Sequence, residues 1–174
     1  MKKITESNLM SAFAGESQAR MRYILFSERA EREGFANVSR LFEAIAYAEK
    51  VHARRGFENL SHLEGGFSTV SMAGFGPGST EKNLSIALEG EAFEVEEMYP
   101  AYISVAEKQG WAYEAEKVHI EMFRNAAESV RSGQDPEIPD IWVCEGCGST
   151  VEDEAPEVCP ICGAKRDRFR GFKA

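Results

Sequence analysis

The chain is poor in several things at once. It has only four cysteines in 174 residues, and all four fall into two Cys-x-x-Cys pairs near the C-terminus. No apolar stretch follows Met1-Lys2-Lys3, so no secretory leader is expected. No run approaches the roughly 18 apolar residues of a membrane span. These absences point to a reducing, cytoplasmic setting in which paired cysteines ligate metal instead of forming disulfides. Positive charge is also short: the net charge of −9 argues against nucleic acid or an anionic membrane as partner. There is no dinucleotide fingerprint; the run Gly74-Phe-Gly76-Pro-Gly78 is preceded by no strand and reads as a flexible crossover. There is no solenoid-type repeat either.

What is present is helical periodicity. The first helix is expected over about residues 5–33, with Leu9, Phe13, Met21, Ile24 and Leu25 on one face and Gly34 as its stop. Asn37 is the expected cap of the second, which runs to about residue 63 with Leu41, Ile45, Ala48 and Phe57 inward. The third runs from Thr80 or Glu81 to Gln109, with Pro100 marking a kink or local irregularity. The fourth runs from about Trp111 to Arg131, between stops at Gly110 and Gly133. Short turns make two antiparallel hairpins, and the glycine-rich stretch 65–79 joins them. That is an all-α four-helix bundle of ferritin-like type with one long crossover. Residues 134–141, with Pro136 and Pro139, read as an extended linker. The expected division is therefore 1–133, a linker 134–141, and a small four-cysteine metal domain 142–174.

Each helix carries one part of a pattern: Glu16, then Glu49-x-x-His52, then Glu91, then Glu116-x-x-His119. The hairpins echo each other, Glu then Glu-x-x-His, twice. A residue and its i+3 neighbour share a helical face, so each Glu-x-x-His aims a carboxylate and an imidazole at one point. One Glu from each of two helices plus a Glu-x-x-His from each of the others is the donor set of a helix-bundle di-iron site. Glutamates inside a bundle are costly unless compensated, and two ferrous ions would neutralise four carboxylates. Oxygen and imidazole donors suit iron or manganese. Glu94 adds a seventh candidate. Harder ferric iron should prefer Glu94, and His52 should replace it on reduction; the plain alternative is that Glu94 is solvated like Glu96 and Glu97. Tyr23 and Tyr99, each about two turns beyond a glutamate, either hydrogen-bond ligand carboxylates or serve as ordinary core aromatics. His62 has no such partner and is expected at the surface or as a cap.

Cys144-x-x-Cys147 and Cys159-x-x-Cys162 form two matched knuckles, each followed by glycine. Tetrahedral sulfur ligation fits zinc or a single iron. A structural zinc ribbon is the reading for the tail taken alone. Attachment to a di-iron bundle turns the choice towards iron, which can pass one electron at a time, with zinc as an expected substitute in recombinant protein.

The segments Gly15-Glu16-Ser17-Gln18-Ala19, Ala48-Glu49-Lys50-Val51-His52-Ala53, Gly90-Glu91-Ala92-Phe93-Glu94, Met98-Tyr99-Pro100 and Glu116-Lys117-Val118-His119, with the terminal Cys pairs, resemble the rubrerythrin family over essentially the whole chain. The resemblance implies a C-terminal rubredoxin-like domain and reduction of hydrogen peroxide to water at the di-iron site, in cytoplasmic oxidative-stress defence. It also implies ligand exchange between residues of the Glu94 and His52 type. Electrons would come from a reduced nicotinamide through separate proteins, a rubredoxin or a reductase. Chain geometry adds an expectation. His119 lies about twelve residues, or about 18 Å, before the end of its helix, and a linker leading away would put the four-cysteine centre far from its own bundle site. A head-to-tail homodimer would then be needed for the relay. The rivals are a ferroxidase or iron-handling protein, a zinc-bearing interaction module, and an oxygen-activating hydroxylase.

Overall fold

The computed structural model describes residues 1–103 and 110–174. Helix α1 (Lys3–Glu33) stops at Gly34, whose φ of 86° lets its N–H reach the Ala30 and Glu31 carbonyls. Helix α2 (Ala36–Asn59) returns along α1. After the crossover, α3 (Thr80–Phe93) opens on Ser79, whose side chain accepts from the Lys82 N–H at 3.3 Å. A π-helical turn, Glu94–Met98, follows, then α4 (Tyr99–Ile103) and α5 (Gly110–Arg131). The expected helix end at Gln109 lies outside the described residues. The irregularity expected near Pro100 is the π turn: Pro100 has no N–H to continue the ladder, and the N–H of Tyr99 reaches five residues back to the Glu94 carbonyl.

The bundle core is aromatic at its centre. Tyr23, Phe26, Phe42 and Phe123 meet with ring centroids 5.3–5.9 Å apart between the contacting pairs Phe42–Phe123, Tyr23–Phe123, Phe26–Phe42 and Tyr23–Phe42. Three residues expected inside are exposed: Met21, Leu25 and Phe57. Apolar spacing marks a face, but neighbouring helices cover only part of it; the Phe57 ring lies 5.4 Å from that of Phe13. The second helix also ends at Asn59, short of residue 63. The crossover lies extended along α1, held by Ser11 Oγ on the Val70 carbonyl (2.8 Å), Gln18 Nε2 on that of Met72 (3.1 Å) and Arg22 on that of Gly74 (3.3 Å). No described helix is long and apolar enough to cross a membrane.

The C-terminal region is a three-stranded antiparallel sheet in the order β2-β1-β3, with β1 Ile141–Cys144, β2 Thr150–Glu152 and β3 Phe169–Phe172. Its seat on the bundle overturns the expectation of a linker leading away. Asp135 accepts from the Asn37 and Val38 N–H groups at 2.8 and 3.2 Å, so it, and not Asn37, caps α2. Arg40 then grips the Pro139 carbonyl at 2.8 Å. Tyr47 donates to Glu145 at 3.1 Å, and Arg54 and Arg55 donate to the Glu145 and Gly146 carbonyls. Ile141 and Val143 join the bundle's own core. The physical reason is reach. The seven residues 134–140 that precede β1 span about 23 Å at 3.3 Å each, and Asp135 and Arg40 lay that length against α2.

Candidate metal centres

Four helices deliver their acids and imidazoles to one buried point. Ligating atoms of Glu16, Glu49, His52 and Glu116 all lie within 4.8 Å of one another, and so do those of Glu49, Glu91, Glu116 and His119. Glu49 and Glu116 belong to both sets, as residues bridging two cations would. Every one of these side chains is buried. The His52 and His119 ring centroids lie 6.2 Å apart, with the ring planes inclined by 30°. Glu94 is buried in the π turn but falls in neither set; it lines a cavity of about 260 Å³ with Gln18, Arg22, Phe93 and Met98. The structure thus groups six of the seven sequence-read donors and leaves Glu94 beside them, with His52 in the position that the two were expected to share.

The donors fit cations better than they fit each other. His119 Nδ1 approaches Glu116 at 2.6 Å and Glu49 and Glu91 at 3.6 Å, and one ring nitrogen cannot serve three carboxylates. Among the described residues, Glu16 Oε2, Glu49 Oε1 and Glu91 Oε2 are buried without a hydrogen-bond partner, and the Glu116 oxygens face the imidazoles of His52 at 2.9 Å and His119 at 2.6 Å. Buried polar atoms are normally satisfied; an excess of buried acceptors over protons is what a metal pair would satisfy. The two tyrosines complete the set crosswise. Tyr23 from α1 donates to Glu91 at 2.6 Å, and Tyr99 donates to Glu16. They are therefore core aromatics and carboxylate partners at once.

Electrostatics records the same crowding. Burial, then the Glu116 charge, raises Glu16, Glu49 and Glu91, the last to about 7. Burial, then the Glu16 charge, raises Glu94 well above the usual carboxylate range. Burial would raise Glu116 too, but His52 and His119 outweigh it and hold it well below that range. Burial would lower the histidines; the Glu116 charge instead lifts both to about 9. Protein alone holds protons on this cluster, and cations would displace them. His62 is half exposed and pairs with Glu6 at 2.8 Å, apart from the site.

The four thiols form the second centre. Cys144, Cys147, Cys159 and Cys162 present sulfurs within 4.8 Å of one another. The hydrogen bond between Cys147 and Cys144 draws the Cys144 thiol down to about 5 and pushes the Cys147 thiol up, so the pair holds one proton between neighbouring sulfurs. Sequence reasoning missed how close the two centres stand. Thr150 Oγ1 is 3.0 Å from His119 Nε2. A Cβ on Gly148 would overlap the His52 imidazole. Gly148 looks like a turn residue in sequence, which its φ of 84° also makes it; Thr150 carries no local signal at all.

Comparison with known proteins agrees with this architecture. Residues 7–127 match the Rubrerythrin family model, and residues 142–170 match the rubrerythrin rubredoxin-like domain. Rubrerythrin-2 of Clostridium acetobutylicum is 40% identical, covering 97% of this chain and 97% of its own length. The rubrerythrin of Nitratidesulfovibrio vulgaris is 36% identical, covering 95% of this chain and 92% of its own. A solved structure of fully reduced, all-ferrous nigerythrin superposes with a TM-score of 0.81 at 32% identity, covering 97% of this chain and 86% of that one. Proteins of this kind bind a di-iron carboxylate site and a rubredoxin-like iron held by four cysteines.

Proposed function

The chain belongs to the rubrerythrin family, and from that premise we propose that it is a peroxidase, reducing hydrogen peroxide to water with electrons relayed through the four-cysteine centre. The observation that carries this reading is the pair of overlapping donor sets, sharing Glu49 and Glu116, with the cysteine ribbon seated against them. Glu16, Glu49, His52 and Glu116 would hold one iron, and Glu49, Glu91, Glu116 and His119 the other. When bound, the iron pair supplies one electron from each ion, so that peroxide with two protons becomes two waters. The protein's part is geometric and electrostatic. Glu49 and Glu116 set the spacing; Tyr23 and Tyr99, raised far above neutrality by burial and by the acids they face, stay protonated and hold Glu91 and Glu16. Glu94, which lines the neighbouring cavity, would exchange with His52 when the oxidation state changes. The catalytic set is therefore Glu16, Glu49, His52, Glu91, Glu94, Glu116 and His119.

Re-reduction would pass through Cys144, Cys147, Cys159 and Cys162 from a rubredoxin or a reductase, NAD(P)H-linked, in the cytoplasm. The ribbon's seat on its own bundle supports a relay within one chain. The head-to-tail homodimer thereby loses the distance argument on which it rested, and sedimentation of the iron-loaded protein tests it. A ferroxidase or iron-handling role has no use for a cysteine ribbon packed over the site, which disfavours it. The deciding experiment is anaerobic: reduce the iron-loaded protein, add one equivalent of peroxide per di-iron site, and follow the visible spectrum beside a sample given oxygen. Fast oxidation by peroxide, slower oxidation by oxygen and return of the iron–thiolate bands are expected. Faster reaction with oxygen would move the assignment to ferroxidase.

A further inference from the structure

The bundle's two candidate histidines are anchored differently on their outer sides. His119 Nε2 lies 3.0 Å from Thr150 Oγ1, both side chains buried, while Thr150 Oγ1 lies 3.1 Å from the Gly148 carbonyl. His52 Nε2 is buried with no hydrogen-bond partner among the described residues.

A hydroxyl has one proton, and a carbonyl can only accept. The Thr150 proton therefore goes to the Gly148 carbonyl, and Thr150 must accept from His119 Nε2–H. A neutral imidazole protonated at Nε2 has its lone pair on Nδ1. Nδ1 is the atom that faces Glu49, Glu91 and Glu116.

We infer that Thr150, a residue of the cysteine ribbon, is a positioning residue for the bundle's metal centre, fixing His119 as an Nδ1 ligand. This rests on the metal reading of the bundle site. The link is anchored in the thiolate knuckle: the Gly148 N–H donates to the Cys144 carbonyl at 2.8 Å, and Gly148 follows Cys147 directly. The ribbon is thus part of the bundle site's outer wall as well as its electron source. It locks one histidine and leaves the other, His52, free of a comparable lock.

The test uses the full-length protein with cobalt(II) as a redox-inert probe, whose intense thiolate bands and weak carboxylate–imidazole bands report the two centres separately. Thr150→Val keeps shape and removes the hydroxyl; Thr150→Ser restores it. Bundle-site affinity is expected to fall about 10–100-fold in T150V, as for other partners of ligating histidines, and to return in T150S, with the thiolate bands unchanged. In zinc-loaded, ¹⁵N-histidine-labelled wild type, one imidazole Nε2–H should be protected from exchange, and T150V should lose it. Equal affinity in wild type and T150V, an equal drop in T150S, or no protected Nε2–H in wild type would each overturn the inference. Cobalt binding at the thiolates alone in wild type would overturn the metal reading of the bundle itself.

Discussion

Both helical hairpins carry Glu, then Glu-x-x-His, and a tyrosine that crosses to the other hairpin's glutamate, but the second is one residue longer where it counts. Glu16 and Tyr23 are seven residues apart on an unbroken α-helix. Glu91 and Tyr99 are eight apart, through the π turn Glu94–Met98. Seven residues are about two α-turns, and an eighth would swing Tyr99 about 100° off the face. A π turn takes up one extra residue, so both hydroxyls reach their carboxylates. The hairpins also differ three residues after the first glutamate: the first has Ala19, the second Glu94, both buried. Near-symmetry makes the two cation positions; the departure from it, in π turn and extra acid together, makes one side of the site unlike the other.

The comparison breaks hardest at the shared acids. Glu49→Ala and Glu116→Ala should each abolish iron binding in the bundle, a loss beyond the roughly 100-fold of an outer-partner change. Iron content after anaerobic reconstitution reads this directly, and retention in one variant alone would mean that the hairpins are not equivalent. Glu94→Ala copies the first hairpin onto the second. Iron should stay bound, while oxidation of the reduced protein by peroxide slows about tenfold or more, a barrier increase of ~1.4 kcal/mol; an unchanged stopped-flow rate would make Glu94 a bystander.

A smaller effect separates the metal-free protein from the loaded one. Glu91 titrates at about 7, up from 4.5, and His52 and His119 at about 9, up from 6.5. Each binds its proton more tightly when folded, so its stabilisation is complete at low pH. It is lost as pH rises, over 4.5 to 7 for Glu91 and 6.5 to 9 for the histidines. Glu116, held low, acts in the opposite sense, only at pH below the usual carboxylate range. Chelated protein should therefore melt lower at about pH 9 than at about pH 6, with the loaded protein nearly flat. The smallest change is Tyr23→Phe against Tyr99→Phe. Each should cost about 1–3 kcal/mol through a buried carboxylate left short of a donor, and similar melting shifts would confirm that the extra residue is fully absorbed.

Much of the candidate site is legible in sequence because its donor residues obey local rules: i, i+3 spacing, apolar flanks, one motif per helix. Glu49 within Ala44-Ile45-Ala46-Tyr47-Ala48 is conspicuous in a way that needs no partner. The rest depends on residues far apart in the chain. Asp135 caps a helix that begins about 100 positions earlier, and Thr150 reaches His119 across 31. No pattern in a single segment encodes either. Pro100 announced an irregular helix but not that the irregularity would point Glu94 inward. The ribbon's position is not legible in the sequence because a linker's composition gives its stiffness and not its direction; Asp135 and Arg40 supply the direction.

That anchored linker has a consequence for assembly. A segment this short holds its ribbon at an effective concentration in the millimolar range for the matching bundle surface. A second copy offering the same ribbon in trans must exceed that concentration to displace it. Exchange of ribbons between chains would therefore depend on releasing the grip of Asp135 and Arg40 on the linker together with the contacts of Tyr47, Arg54, Arg55 and His119 on the ribbon.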